Sequence, residues 1–554
     1  MRSLLPPRHR AVGRYVAALA CIAMIIGMGG PAAGAGPAAG ARTGSWPMAG
    51  QNVLNTRTQP LEFTVNPANV ARLAPKWVFT THGDESATPT VADGVVYFPD
   101  FGGYLNAVNA TTGALVWQQQ ISTYDNGAPG AFSRVSPAIY GDELILGDNF
   151  NTAQPGGAHL LAVSRADGHL LWSVQVDSHP AAVTTSSPVI IGNLAVFGVS
   201  SNEEVDARSA AYPCCTFRGS VIAVNLDTGT ILWKTYTMPA NTPCTGHNPP
   251  SGCGYSGGAV WATPTIDPTA GAVYAVTGNN YTTPDAATAC AQQALAAGTS
   301  DANCTAPDDH FDSVLSLNLF TGQTNWSHKF QGYDANNLAC LGTQPGGTWC
   351  PSVQSPDYDF GSGANVLLTT GAHGSVQKLI GIGQKSGVYW ALDPADGHVV
   401  WNRLVGPGSA LGGIQWGTAY DFSRIYAPIS NPFGTGYTLP GGQHAAGGSW
   451  AALNGQTGAF EWQVATPTGA AATGAASEAG GVVFAGDMAK TGANMFALNA
   501  TTGQILWSFA SGGSVIAAPA IVDGTVYWGS GYSRFGPQLG SGNNKFYAFT
   551  LDGR

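Results

Sequence analysis

Seven segments of this chain share one shape: "NATTGALVW" ending at Trp117, "SRADGHLLW" at Trp172, "NLDTGTILW" at Trp233, "NLFTGQTNW" at Trp326, "DPADGHVVW" at Trp401, "NGQTGAFEW" at Trp462 and "NATTGQILW" at Trp507. Each follows a short alternating run such as "GVVYFPDFGGYLNAV" or "NMFAL". Alternation of period two reads as a β-strand. The T-G or D-G pair reads as a tight hairpin turn. The tryptophan then falls at a fixed place on the returning strand, where it can pack on the next sheet. A single four-stranded sheet cannot bury both faces, so the sheets must stack radially, as in a propeller.

An eighth unit is split between the chain ends. "NNKFYAFTLDGR" at the C-terminus carries the front half of the motif and stops. "NVARLAPKWVF" near the N-terminus supplies the returning strand with Trp77. Joining them closes a ring. The expected fold is therefore all-β: an eight-bladed β-propeller with tryptophan docking, forming one domain over residues 42–554. The 93 residues from Trp233 to Trp326, against 40 from Trp77 to Trp117, mark the largest inserted loops. The 75 glycines and the 10% charged residues fit short strands and many turns.

Residues 1–41 read as a secretory leader. Arg2, Arg8, Arg10 and Arg14 precede the apolar run "YVAALACIAMIIGMGG", and small residues follow; cleavage after Ala35 or Ala41 fits, with Ala41 preferred. The run is short for a membrane span, and no second apolar segment reaches that length. Export to the periplasm or the extracellular space is expected. Removing the leader leaves eight of nine cysteines, an even count that reads as disulfides in an exported protein. Three local pairs suggest themselves: Cys244 with Cys253, Cys290 with Cys304, and Cys340 with Cys350. That leaves Cys214 and Cys215 for each other, although adjacent residues lie closer than an ordinary disulfide wants, and separate partners stay open on residues alone. No C-x-x-C occurs, which excludes a zinc ribbon and a c-type haem attachment site. The net charge of −10 becomes −14 once four leader arginines are removed, so nucleic acid and anionic membrane are not expected partners.

The repeat A-x-D/N-x-x-T-G-x-x-x-W resembles that of the pyrroloquinoline quinone (PQQ) dehydrogenases, over essentially the whole chain after the leader. Outer-membrane assembly scaffolds carry a similar repeat, so site residues must separate enzyme from binding module. "GVSSNEE" resembles the segment with a calcium-binding glutamate, aligning Glu203 best with Glu204 one step away. "AVYAVTGNN" places Asn279 as a second calcium ligand. "SPDYDFGSGANV" resembles the segment of the catalytic aspartate. Asp359 fits better than Asp357 there, and it serves both as general base and as metal ligand. "GQKSGVYWALD" offers Lys385 against the quinone carbonyls, where its charge assists catalysis. "GGAVWATPTIDP" offers Trp261 as the flat floor for the cofactor, "LGGIQWGTAYD" offers Trp416 beside it, and "CCTFRG" offers Arg218 as a cofactor contact. The resemblance also implies a Cys214–Cys215 disulfide as a lid over the quinone, although here the pair follows the glutamate motif whereas alcohol dehydrogenases carry it earlier.

"SWPMAGQNVLNTRTQP" and "YPCCTFRGSV" look most like the polyvinyl alcohol dehydrogenase branch of that family. The resemblance implies PQQ and calcium as cofactors and oxidation of secondary hydroxyls on a polymeric polyol to ketones. Other alcohols, sugars or polyethers are the alternative substrates. Without a cytochrome domain, electrons are expected to leave to a separate acceptor such as a cytochrome c.

Overall fold

The computed structural model describes residues 44–125, 127–151, 156–341, 349–353, 355–370 and 375–554. The expected leader, residues 1–41, lies outside them. The turn at the centre of each repeat explains its composition. Asn109 Oδ1 accepts from the backbone N–H of Thr111 (3.0 Å) and of Thr112 (2.9 Å), and Asn225, Asn318, Asn454 and Asn499 do the same in their own repeats. An asparagine side chain that caps its own turn fixes the hairpin locally.

These hairpins build eight blades of four strands each, two of which carry a short fifth strand, Ala182–Val183 on the third and Thr58–Gln59 on the seventh. The first contains Thr90–Ala92, Val95–Pro99, Tyr104–Asn109 and Leu115–Gln120. The third contains Val189–Ile191, Leu194–Ser201, Ser220–Asn225 and Thr230–Tyr236, and the fourth Thr265–Asp267, Ala272–Val276, Ser313–Asn318 and Thr324–Lys329. The eighth joins Ala520–Val522, Thr525–Ser530 and Lys545–Leu551 to Leu73–Thr80, which closes the ring with the two chain ends as the sequence reading expects. Outer strands carry a β-bulge just before the motif tryptophan, for example between Trp117 and Leu115 opposite Ala107 and Val108. The bulge re-aims the indole toward the next blade.

What the indole meets there is the turn of the following repeat. Trp117 Nε1 donates to Arg165 O (2.8 Å), Trp233 to Leu319 O (3.1 Å), Trp462 to Ala500 O (2.9 Å) and Trp507 to Leu73 O (2.8 Å). The ring rests on the turn glycine, which has a positive φ. A Cβ on Gly168 would lie 2.5 Å from Trp117, and one on Gly458 would lie 2.4 Å from Trp401. Glycine is thus required twice, for backbone conformation and for room.

A second feature ties the ring together from within. The segment Trp46–Gln59 passes under the inner strands of successive blades. Trp46 N donates to Val91 O (2.8 Å), Ile139 N to Pro47 O (3.0 Å), Ile266 N to Val53 O (2.8 Å), Val366 N to Leu54 O (3.1 Å), Tyr420 N to Thr56 O (2.8 Å) and Glu478 N to Arg57 O (2.9 Å). Gln59 Nε2 completes the circuit at Ile521 O (3.4 Å).

Candidate functional site

The candidate site gathers at loops that lead into the inner strands of the fourth, fifth and sixth blades. Trp261 precedes Thr265–Asp267, and Gly361 lies against its ring so closely that a Cβ there would be 2.0 Å from the indole. Trp261 Nε1 donates to Asp359 Oδ2 at 3.0 Å. The other carboxylate oxygen of Asp359 accepts from Asn279 N at 2.9 Å. Asn279 follows the strand Ala272–Val276, and its Nδ2 donates to Asn280 O (3.0 Å) and Asn336 O (2.8 Å). Those bonds turn its amide oxygen away from both carbonyls.

Lys385 is buried among acids. Its Nζ lies 3.1 Å from Asp357 Oδ1 and 3.1 Å from Asp359 Oδ2, and 5.6 Å from the centroid of the Trp261 ring. Burial works to discharge it, but Asp357, Asp359 and Glu204 outweigh burial and raise its pKa. Burial raises the Asp357 carboxyl well above the usual range, with Lys385 opposing and Asp359 and Glu204 adding to the rise. Glu204 is pushed up to about 7 by burial, against Lys385 and with Asp359. Behind this group, burial and the neighbouring Asp334 hold Asp312 far above the ordinary carboxylate range. Three acids thus face one ammonium in a buried space. The donor set is carboxyl and amide oxygen, which suits a hard cation. Trp261 supplies a flat apolar surface beside it, which suits a planar ring system.

Sequence-predicted residues divide into those that converge and those that do not. Trp261, Asn279, Asp359 and Lys385 come together, and Trp416 packs edge-on against Trp261 with ring centroids 5.0 Å apart. Glu203 is buried but turned elsewhere. It accepts from Thr216 N (2.7 Å), Phe217 N (2.8 Å) and Tyr212 Oη (3.1 Å), with His179 Nε2 at 3.5 Å. Glu204 is the acid whose charge Lys385 and Asp357 feel. Arg218, expected at the cofactor, is directed to the outer part of its blade. Its Nε (3.2 Å) and Nη2 (2.6 Å) donate to Met238 O, and the guanidinium stacks 3.9 Å over the half-exposed edge of the sheet at Tyr236.

All four disulfides form with the pairing read from sequence, including Cys214–Cys215. Both cysteines have 0% exposure and belong to the apolar core cluster that spans the second, third and fourth blades. The pair sits directly before Thr216 and Phe217, the two residues whose N–H groups Glu203 binds. Sequence reasoning ranked Glu204 and Asp357 second. Asp357 lies two residues from Asp359 with a left-handed backbone, φ +58°, so no strand period pointed to it.

The family model described as "Glucose/ethanol/alcohol dehydrogenase, beta-propeller domain" matches residues 46–338. The chain belongs to the PQQ-dependent dehydrogenase family. Residues 446–554 match a second propeller model, that of the outer membrane protein assembly factor BamB. A polyvinylalcohol dehydrogenase from a Pseudomonas species is 28% identical, over 92% of this chain and 77% of that protein. One from a Sphingopyxis species is 28% identical, over 88% of this chain and 73% of its own length. Among solved structures, quinohemoprotein alcohol dehydrogenase from Comamonas testosteroni superposes with a TM-score of 0.64 at 19% identity, covering 93% of this chain and 81% of that one. A europium-containing methanol dehydrogenase superposes with a TM-score of 0.62 at 17% identity, covering 92% and 98%. These structural likenesses carry the propeller fold. Family and relatives together make this PQQ-dependent dehydrogenase an oxidoreductase of the alcohol dehydrogenase type.

Proposed function

We propose that residues 42–554, exported after loss of the leader, oxidise secondary hydroxyls of polyvinyl alcohol to ketones with PQQ and calcium. The observation that carries this reading is the buried group of Asp357, Asp359 and Glu204 around Lys385, set against the Trp261 ring. The polymer is favoured over small alcohols, sugars and polyethers because the two polyvinylalcohol dehydrogenases match across about nine-tenths of the chain. No described helix is long and apolar enough to cross a membrane, and four disulfides are compatible with export.

Trp261 would lie flat against PQQ, and Trp416 fixes the tilt of Trp261 from its edge. Glu204, Asn279 and Asp359 would hold calcium, whose charge balances the excess of acids. When bound, PQQ supplies the two-electron acceptor for the hydride that leaves the alcohol carbon. The chain's own task is proton and charge. Asp359 takes the hydroxyl proton on its carboxylate. Lys385 is kept protonated by the acids around it and would offer its positive charge to the quinone oxygens of the bound cofactor. Trp261 Nε1–H and Asn279 N–H each hold one Asp359 oxygen, which fixes the base before substrate arrives. Electrons then pass to a separate acceptor such as a cytochrome c.

Reconstitution tests the reading. Purified protein is loaded with PQQ and calcium, and dye reduction is followed with polyvinyl alcohol, a small secondary alcohol, a sugar and a polyether. Turnover with the polymer at the highest kcat/KM is expected. Full activity without added metal, after rigorous chelation, excludes the ion. A parallel loading with a lanthanide asks whether the acid-rich cage prefers the higher charge, given the europium in the neighbouring structure.

A further inference from the structure

Apart from the group around Lys385, the second blade gathers its own metal-ligating side chains: Asp125, Asp148 and His159. Asp148 follows the strand Glu143–Gly147, and His159 lies in the strand Ala158–Ser164 beside it. Asp125 lies in the connection from Leu115–Gln120 to Ala138–Tyr140. One ligand atom from each residue lies within 4.8 Å of the other two. The Asp148 side chain is wholly buried, and its carboxylate accepts from His159 N (2.8 Å) and meets His159 Nδ1 (2.8 Å). Thr184 fixes the same residue from its backbone side, donating from N (2.9 Å) and Oγ1 (2.7 Å) to Asp148 O. Asp125 is different. Both of its carboxylate oxygens are shielded from solvent, and neither has a hydrogen-bond partner among the described residues. Its connection is pinned to the loop after Asp148 all the same, because Phe132 N donates to Asn149 O (3.0 Å) and Asn149 N to Phe132 O (2.8 Å).

A carboxyl group out of water and without a donor is costly, and a proton or a cation relieves it. Burial and Asp148 push the Asp125 carboxyl up to about 7, with His159 opposing. A proton held at that value is readily given up at neutral pH, so a metal ion can displace it. Two carboxyls and an imidazole make a mixed oxygen and nitrogen set. Calcium takes oxygen ligands, whereas imidazole suits first-row metals such as zinc. Asp125 has both oxygens free, so three side chains can supply four donors. We propose that Asp125, Asp148 and His159 bind one first-row divalent cation of the zinc type, at a site separate from the calcium group of Glu204, Asn279 and Asp359. The ion would tie the connection after the first blade to the loop and strand of the second. That connection also carries Arg134, whose guanidinium lies 4.8 Å over Trp416, so the ion would brace a neighbour of the candidate site without touching it.

Protein loaded with PQQ and excess calcium is titrated with zinc by calorimetry, as wild type and as Asp125→Ala. Crystals of the same loaded protein, grown with zinc, are measured on both sides of the zinc absorption edge. One saturable zinc site is expected in wild type, with an anomalous peak ~2.0–2.2 Å from ligand atoms of Asp125, Asp148 and His159. Asp125→Ala should bind zinc about tenfold or more weakly. If Asp125→Ala does not fold, the wild-type peak and titration decide. No peak at these three residues overturns the proposal, as does equal zinc affinity in Asp125→Ala. A peak without saturable binding marks an adventitious ion only, and also overturns it. A peak confined to Glu204, Asn279 and Asp359 assigns zinc to that group and overturns a separate site. Displacement of zinc from Asp125, Asp148 and His159 by the calcium present overturns the choice of metal.

Discussion

Glu203 and Glu204 are neighbours in the chain, yet their carboxylates serve opposite sides of one helical turn. Glu203 binds the backbone N–H groups of Thr216 and Phe217, and Glu204 acts on Lys385. Adjacent helical residues do not share a face, and both lie in the short helix Glu203–Asp206. Their substitutions should therefore separate. Glu203→Gln presents an amide N–H₂ to donors and should cost roughly 1–3 kcal/mol in denaturant unfolding. Glu204→Gln should leave cofactor-free stability unchanged or raised, because it relieves excess negative charge, and should weaken metal binding by about tenfold or more. Equal effects of the two on metal affinity, read by calorimetry, would refute the assignment.

Asp359→Asn should fold and bind PQQ but turn over ~10²–10⁴-fold more slowly. Asp357→Asn keeps the base and removes one of the two carboxylates on Lys385, so its loss in kcat should be much smaller. Absorbance of bound cofactor and steady-state kcat distinguish the cases. The reverse ranking would move the base to Asp357.

Gly458→Ala forces a side chain at φ +67° and 2.4 Å from Trp401. It should destabilise by about 1–3 kcal/mol. Gly229→Ala keeps the φ cost, at +66°, but has 3.6 Å to Trp172, so it should cost less. Thermal unfolding of both variants checks the order. Equal losses would assign the whole cost to backbone conformation.

Burial raises the Glu478 carboxyl to about 7 from an ordinary 4.5. The folded state then holds a proton that the unfolded state releases, so the contribution of Glu478 to stability is full below pH 4.5 and is lost as pH rises toward 7. The size is on the order of 3 kcal/mol. Glu478→Gln should flatten that part of the stability–pH curve. An unchanged slope between those limits would show that Glu478 is ionised throughout.

The blades were legible because each repeat states its own turn, and a turn is a local object: Asn109 caps its hairpin with atoms two and three residues away. The meeting of Trp261, Asn279, Asp359 and Lys385 was legible only through resemblance, since nothing local joins residues that far apart. The direction of Arg218 was not legible, because it is set by Met238 O and the Tyr236 ring, which lie on the following strand and loop. Glu204 was ranked below Glu203 because the segment continues from a strand into a helical turn, and alternation fails there. The course of Trp46–Gln59 gave no signal, because the segment has no period and takes its shape from the blades it crosses.

That crossing has a consequence for the order of assembly. Trp46–Gln59 is among the first stretches of the domain to be synthesised, and its acceptors and donors run from Val91 to Ile521. It cannot be fully seated until the last blades exist. The chain's earliest residues are therefore among its latest to settle, and such distant pairings slow folding. A protein with that dependency leaves its ribosome with the fastening still open, and closes it only when the whole ring is present.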